Sequence, residues 1–262
     1  MLRSLHTAAL GMSTQQAGVD NTANNLANAN TTGFKRSTIV FQDLLYQNIQ
    51  TPAIGAAQGG APPANLQMGH GATAVATVRN FTQGGFTETG NSFDIAINGD
   101  GFLQVSTPDG EIQYTRDGTL TLSPEGSIIT QMGLPVEPDI TVPQEASELI
   151  ITQDGLVRAR VQGQADMVDL GQLELARFPN SAGLDSVGNN LYTQTEASGE
   201  PTIGAPGQEG IGSIRQGFLE GSNVDVVQEM VALIAAQRAY EINSKVVTTS
   251  EEMMQMSNSM KR

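Results

Sequence analysis

Ser222–Arg262 reads SNVDVVQEMVALIAAQRAYEINSKVVTTSEEMMQMSNSMKR, a tail with neither Gly nor Pro. Nothing in it interrupts an α-helix. Ser222, with Asp225 three residues on, makes a capping-box-like start in which Asp replaces the usual Glu or Gln. An apolar stripe then runs through Val224, Val227, Val231, Ile234, Ile242, Val246, Met253, Met256 and Met260, interrupted at Arg238 and Thr249. A helix over 223–258 is about 54 Å long, more than one small domain can cover. The alternatives are a core helix and a helix that pairs with another. The length favours pairing.

The other end supplies a partner. Leu2, Leu5, Ala9, Met12, Gln16, Val19, Ala23, Leu26 and Asn30 recur at alternating steps of three and four, a heptad stripe with two polar members. Gly11 and Gly18 each weaken that helix by about 1 kcal/mol. Asn24, Asn25, Asn28 and Asn30 crowd its end, and Gly33 is a natural stop.

Between the ends the pattern changes. Phe34, Ile39, Val40, Phe41, Leu44, Leu45 and Tyr46 form an apolar run suited to strand or short helix, and from Gln50 to Gly71 follows a stretch rich in Gly, Ala and Pro. That stretch suits either a linker or an arm ordered by its neighbours. Turn signals then recur at Asn98-Gly99, Asp100-Gly101, Asp109-Gly110, Asp117-Gly118 and Glu125-Gly126, with Asp154-Gly155 further on. Such dipeptides supply the positive φ of tight hairpins. The expected fold class is α+β: paired terminal helices in a coiled-coil-like α domain, an extended Gly/Pro-rich arm and a central antiparallel β domain. The expected boundaries are 1–35 and 216–262 for the two halves of the helical domain, 36–71 for the arm and 72–215 for the β domain.

Charge and composition exclude more than they propose. The net charge is −14, yet both ends are close to neutral, so the middle carries the negative charge. No basic patch is available to neutralise phosphates, which disfavours nucleic acid. With no cysteine there is no disulfide and no thiolate site. No run approaches the roughly 20 apolar residues of a membrane span, and polar residues from Gln15 to Asn21 interrupt any cleavable signal. Asp94, Asn98 and Asp100 alternate but lack the order and distal Glu of an EF-hand. The two histidines, His6 and His70, lie far apart, and no nucleophile or phosphate-loop motif appears. The chain is expected to be no enzyme, with no catalytic, cofactor or metal site.

Two longer motifs carry a resemblance. Asn24-Asn25-Leu26-Ala27-Asn28-Ala29-Asn30-Thr31-Thr32-Gly33-Phe34-Lys35 resembles the N-terminal signature of bacterial flagellar rod and hook proteins, with Thr32 where that family usually has Pro. Ser222-Asn223-Val224-Asp225 and Ala236-Gln237-Arg238-Ala239-Tyr240-Glu241-Ile242-Asn243-Ser244-Lys245 resemble its C-terminal signature. Phe41-Gln42-Asp43-Leu44-Leu45-Tyr46-Gln47 and Tyr114-Thr115-Arg116-Asp117-Gly118 are similar to the family's distal rod members, with proximal rod and hook proteins as near alternatives.

The resemblance implies a structural subunit of the distal rod that stacks helically into a hollow, torque-transmitting shaft with an axial export channel. Its implied partners are further copies of itself, proximal rod and hook proteins, an outer ring bushing and the export apparatus, without membrane insertion. Its implied location is the periplasm-spanning basal body, reached without a cleavable signal. The assembly residues expected on this basis are Leu5, Met12, Val19, Asn24, Asn25, Leu26, Asn28, Gly33 and Phe34; Phe41, Leu44, Leu45 and Tyr46 of the arm; and Ser222, Asn223, Val224, Val227, Val231, Ile234, Arg238, Tyr240, Ile242, Asn243 and Val246. Asn24, Asn25 and Asn28 either hydrogen-bond between subunits or fray the helix end, and Arg238 is expected to pair with an acid inside the helical layer. The reading from a different class is a secreted adhesin or binding module oligomerised by terminal coiled coils.

Overall fold

The computed structural model describes residues 2–50, 66–161, 166–208 and 210–260, and its architecture is α+β, with a long helix near each end and antiparallel strands between. The chain divides into two compact units, one of Met1–Leu26, Ser37–Val78 and Asp225–Arg262, the other of Ala27–Arg36 and Arg79–Val224.

The first unit holds α1 (Leu2–Ala27), β1 (Ser37–Asp43), β2 (Tyr46–Gln50), β3 (Leu66–Gly69), β4 (Ala72–Arg79) and α2 (Val226–Ser259). The strands form two ribbons, β1 with β4 and β2 with β3. Part of the expected arm is therefore strand, while most of its Gly/Pro-rich stretch, 51–65, lies outside the described residues. α2 starts later than its sequence suggests. Asp225, not Ser222, is the N-cap: its carboxylate accepts from the backbone N–H groups of Val227 at 2.9 Å and Gln228 at 3.3 Å. Ser222 instead closes a local turn, its Oγ accepting from Val224 N.

The second unit is built on β5 (Phe86–Glu88), β6 (Ile95–Asn98), β7 (Phe102–Ser106), β8 (Ile112–Thr115), β9 (Leu120–Leu122), β10 (Ile128–Thr130), β11 (Val136–Glu137), β12 (Ala146–Ile151), β13 (Leu156–Val161), β14 (Val168–Gln172), β15 (Leu175–Arg177), β16 (Asp185–Gly188), β17 (Leu191–Thr193), β18 (Thr202–Gly204), β19 (Ser213–Gln216) and β20 (Phe218–Glu220). Its largest sheet runs β16-β17-β8-β7-β15-β18, with β11 also on β7; β12-β13-β14 form a second, and β6-β19, β9-β10 and β5-β20 are pairs. β7 is buried on both faces. Alternation sends Leu103 and Val105 into an aliphatic core with Ile95, Val157 and Leu175, and Phe102 into an aromatic cluster with Tyr114, Phe178 and Tyr192. The rings meet edge to face, Tyr114 and Phe178 at 4.7 Å between centroids.

Asp109-Gly110, Glu125-Gly126 and Asp154-Gly155 do close hairpins, joining β7 to β8, β9 to β10 and β12 to β13. The signals at 98–101 and 117–118 do not. β6 pairs with β19 and β9 with β10, so those glycines carry the chain from one sheet to another. At Gly118 the reason is close approach, since a Cβ would collide with Ile95 O, which sits against this backbone.

Candidate assembly surface

Each helix of the first unit has a small, polar inner face. Asn25 Nδ2 donates to Glu229 Oε2 at 3.3 Å, and a Cβ on Gly11 would lie 3.0 Å from Asn243 Nδ2. Moving fourteen residues back along α1 moves the contact fourteen residues forward along α2, so the helices run antiparallel. On α1 the inner positions Ala8, Gly11, Gln15, Gly18, Thr22 and Asn25 recur at steps of three and four, each one residue before a member of the apolar stripe read from the sequence. On α2 they include Glu229, Ala236, Asn243, Val247 and Ser250. Gly11 thus sits where Asn243 crowds the backbone, whereas at Gly18 a Cβ would meet Phe41 only at an ordinary 4.0 Å.

The apolar stripe of α2 points the other way. At about 100° per residue, Val227, Val231, Ile234, Ile242 and Met256 fall on the face opposite Glu229, Ala236 and Val247. All five are exposed, from 54% at Ile234 to 69% at Val227. The stripe expected to close a coiled-coil seam on the N-terminal helix instead lies open. The buried residues of this unit, among those described, are Ala8, Thr14, Thr22, Asn25, Ser37, Glu229 and Ser250. Large exposed apolar residues of the second unit are Ile112, Leu122, Met132, Met167, Val187 and Ile203; all the others described belong to the first. The first unit is polar inside and apolar outside, the reverse of the second.

Hydrogen bonds make that polar interior tolerable. Asn25 Nδ2 donates to Ser37 O at 2.8 Å, and Asn25 Oδ1 accepts from Ser37 N at 3.0 Å and Ser37 Oγ at 3.1 Å. Asn21 joins the same knot through Ser37 O and Oγ. Glu229 lies in the first turn of α2, where the helix dipole favours its negative charge.

The second unit hides a charge cluster. Glu220 is wholly buried, with Lys35 Nζ on one carboxylate oxygen and Arg116 Nη1 at 3.2 Å from the other. The Lys35 bond is 2.6 Å, and Gly84 N donates to the same oxygen at 3.0 Å. Lys35 also donates to Thr82 O, and Arg116 Nη2 to Gly99 O at 2.8 Å. Burial pulls the Lys35 ammonium below the ordinary lysine value, Glu220 opposes that shift and Arg116 adds a little to it. Arg116 is likewise lowered by burial, against the pull of Glu220 and Asp100. Lys35 and Arg116 stand inside recognisable motifs, but no periodicity marks either as buried. Glu220 ends a short strand and carries no sequence signal.

The expected assembly residues separate into groups. Phe41, Leu45, Tyr46, Val227, Val231, Ile234, Tyr240, Ile242 and Val246 are exposed apolar groups, Leu45 at 88%. Leu5, Met12, Val19, Leu26, Leu44, Val224 and Asn243 are half-buried. Gly33 and Phe34 are buried in the second unit, Gly33 at φ +68° with no room for a Cβ beside Asp117 N. Asn25 is turned inward and hydrogen-bonded to Ser37 and Glu229 of its own chain. Asn24 is exposed, and Asn28 Oδ1 accepts from Thr31 Oγ1. Arg238 pairs with Glu241 at 2.8 Å, one turn along α2, with both side chains exposed in the single chain. Ser222 and Asn223 lie at the end of the second unit.

Comparison with known proteins reaches the same two ends. Residues 5–35 match the family described as flagella basal body rod protein, residues 96–159 the flagellar hook protein FlgE/F/G D1 domain, and residues 215–260 the flagellar basal body rod FlgEFG protein C-terminal. The chain is 46% identical over 255 residues to the flagellar basal-body rod protein FlgG of Buchnera aphidicola from Acyrthosiphon pisum, covering 97% of this chain and 98% of that one. It is 44% identical over 264 residues to FlgG of Borreliella burgdorferi, at 100% of both chains. FlgG of Caulobacter vibrioides is 43% identical over 261 residues, at 99% and 100%. The chain belongs to the FlgG family of flagellar basal-body rod proteins. The N-terminal family match ends on Lys35 and the C-terminal one begins at Arg215, so Glu220 and Lys35 join the two matched regions in one buried pair.

Proposed function

We propose that this chain is a structural subunit of the flagellar basal-body rod, in its distal part, and acts by polymerisation and not by catalysis. The carrying observation is the inverted first unit, whose small polar seam faces inward while Val227, Val231, Ile234, Ile242 and Met256 face solvent. At about 25 cal/mol per Å² of apolar surface covered, a stripe along a helix about 51 Å long is a strong drive to association. In the assembled rod these stripes pack in coiled-coil-like seams against helices of neighbouring copies. The exposed β1–β4 and β2–β3 ribbons, with Phe41, Leu45 and Tyr46, lie along neighbours as the stiffening arm. The other partners in this reading are proximal rod and hook proteins, the surrounding outer ring and the export apparatus. The location is the basal body.

The test is the double variant Val231→Glu with Ile242→Glu, both positions being exposed and helix-compatible. A strain lacking the wild-type chain should stay non-motile when given the variant, although the secreted variant keeps the wild-type melting of its β body. Straight tubes of the variant under the electron microscope, at wild-type yield, would overturn the reading.

A further inference from the structure

We propose that Asn223 is a positioning residue that staples together three of the four chain ends of the second unit. That unit comprises Ala27–Arg36 and Arg79–Val224, so Arg36, Arg79 and Val224 are three of its four ends. Asn223 bonds to the chain beside each of the other two. Its Oδ1 accepts from Arg36 N at 2.7 Å; its Nδ2 donates to Asn80 O at 2.8 Å, Thr82 O at 3.0 Å and Thr82 Oγ1 at 3.1 Å. The two segments it bridges are tied to each other as well, Asn80 N donating to Arg36 O at 2.8 Å.

The staple is anchored underneath by the buried charges. Thr82 O accepts from Asn223 and also from Lys35 Nζ at 2.9 Å, and Lys35 in turn holds Glu220, three residues before Asn223. Only an Asn or Gln head offers one acceptor and two donors at a single planar centre, and the short Asn side chain limits the play. Asp keeps the acceptor and loses the donors, Ser is too short to span both segments, and Ala loses everything. The three ends are thereby fixed in relative twist, and a torque applied to any one is shared with the unit's core. The purpose of the staple rests on the rod reading; its geometry does not.

Amide hydrogen exchange on the full chain tests the geometry. In Asn223→Ala the Arg36 and Asn80 amides should exchange about tenfold faster or more, each losing direct or neighbouring support worth roughly one hydrogen bond. In Asn223→Asp the Arg36 amide should stay within about twofold of wild type while Asn80 accelerates, since only the donor half is lost. The Leu103 and Val105 amides in β7 should not change in either. Wild-type exchange at Arg36 and Asn80 in Asn223→Ala overturns the staple; faster exchange in β7 in both variants overturns its local character. Motile cells test the purpose. Normalised to flagella per cell, Asn223→Ala should lose swimming speed more steeply than wild type as the medium is thickened. Wild-type load dependence would overturn the mechanical role alone, whereas the rod reading stands or falls separately with Val231→Glu and Ile242→Glu.

Discussion

Glu220 is the residue on which the second unit is most exposed to damage. Among the described residues it bonds two buried cations, and the other carboxylate that acts on either, Asp100 on Arg116, is not bonded to it, so the bonded cluster carries one excess positive charge. Glu220→Gln leaves Lys35 and Arg116 facing each other across a neutral amide. Removing one member of a buried pair typically costs about 3–5 kcal/mol, and urea melting of the β body should show a loss of that size. Lys35→Met deletes the excess charge and leaves Arg116 with Glu220 as a balanced pair, so its loss should be clearly smaller. An equal loss in the two variants would mean that packing, and not charge balance, sets the cost.

The helices show what a hydrophobic pattern can and cannot say. Both were legible in the sequence, α2 because its run is free of Gly and Pro and α1, despite Gly11 and Gly18, because of its heptad stripe. Their faces were not. The stripe of Val227, Val231 and Ile234 is the most regular apolar pattern in α2, and in a lone globular domain it would face the core. Here it faces solvent, and the inner face is held by Asn25, Gly11 and Asn243. No single-chain rule ranks such a face above an apolar one. The cap was misread for a related reason: Ser222 and Asp225 both suit the N-cap, and Asn223 binding to Arg36 N holds 222–224 out of the helix. Asp225→Ala should therefore cost α2 about 1 kcal/mol, seen as reduced helical circular dichroism in the free subunit, whereas Ser222→Ala should leave the helix signal unchanged.

At the scale of the whole molecule, the β body was readable where Asp-Gly and Glu-Gly close local hairpins. It was not readable where strands distant in sequence pair, as β6 does with β19. The two units also differ in what protects them. The second unit has an aliphatic and an aromatic core, and its amides should exchange slowly in the free subunit. The first depends on a thin polar seam, so α1 and α2 amides should exchange quickly in the free subunit and slowly in the polymer. Equal protection of the helices in both states would contradict the division of labour proposed for the units.

In the proposed rod, the outward stripe of α2 has a kinetic consequence. A surface covered only when several neighbours are present gives little reward to the first two copies that meet, and much more to a copy that arrives at an existing end. Growth is then autocatalytic at the tip and slow to start in free solution. Below a threshold concentration the subunits stay apart; above it, a pre-existing seed decides where lengthening begins.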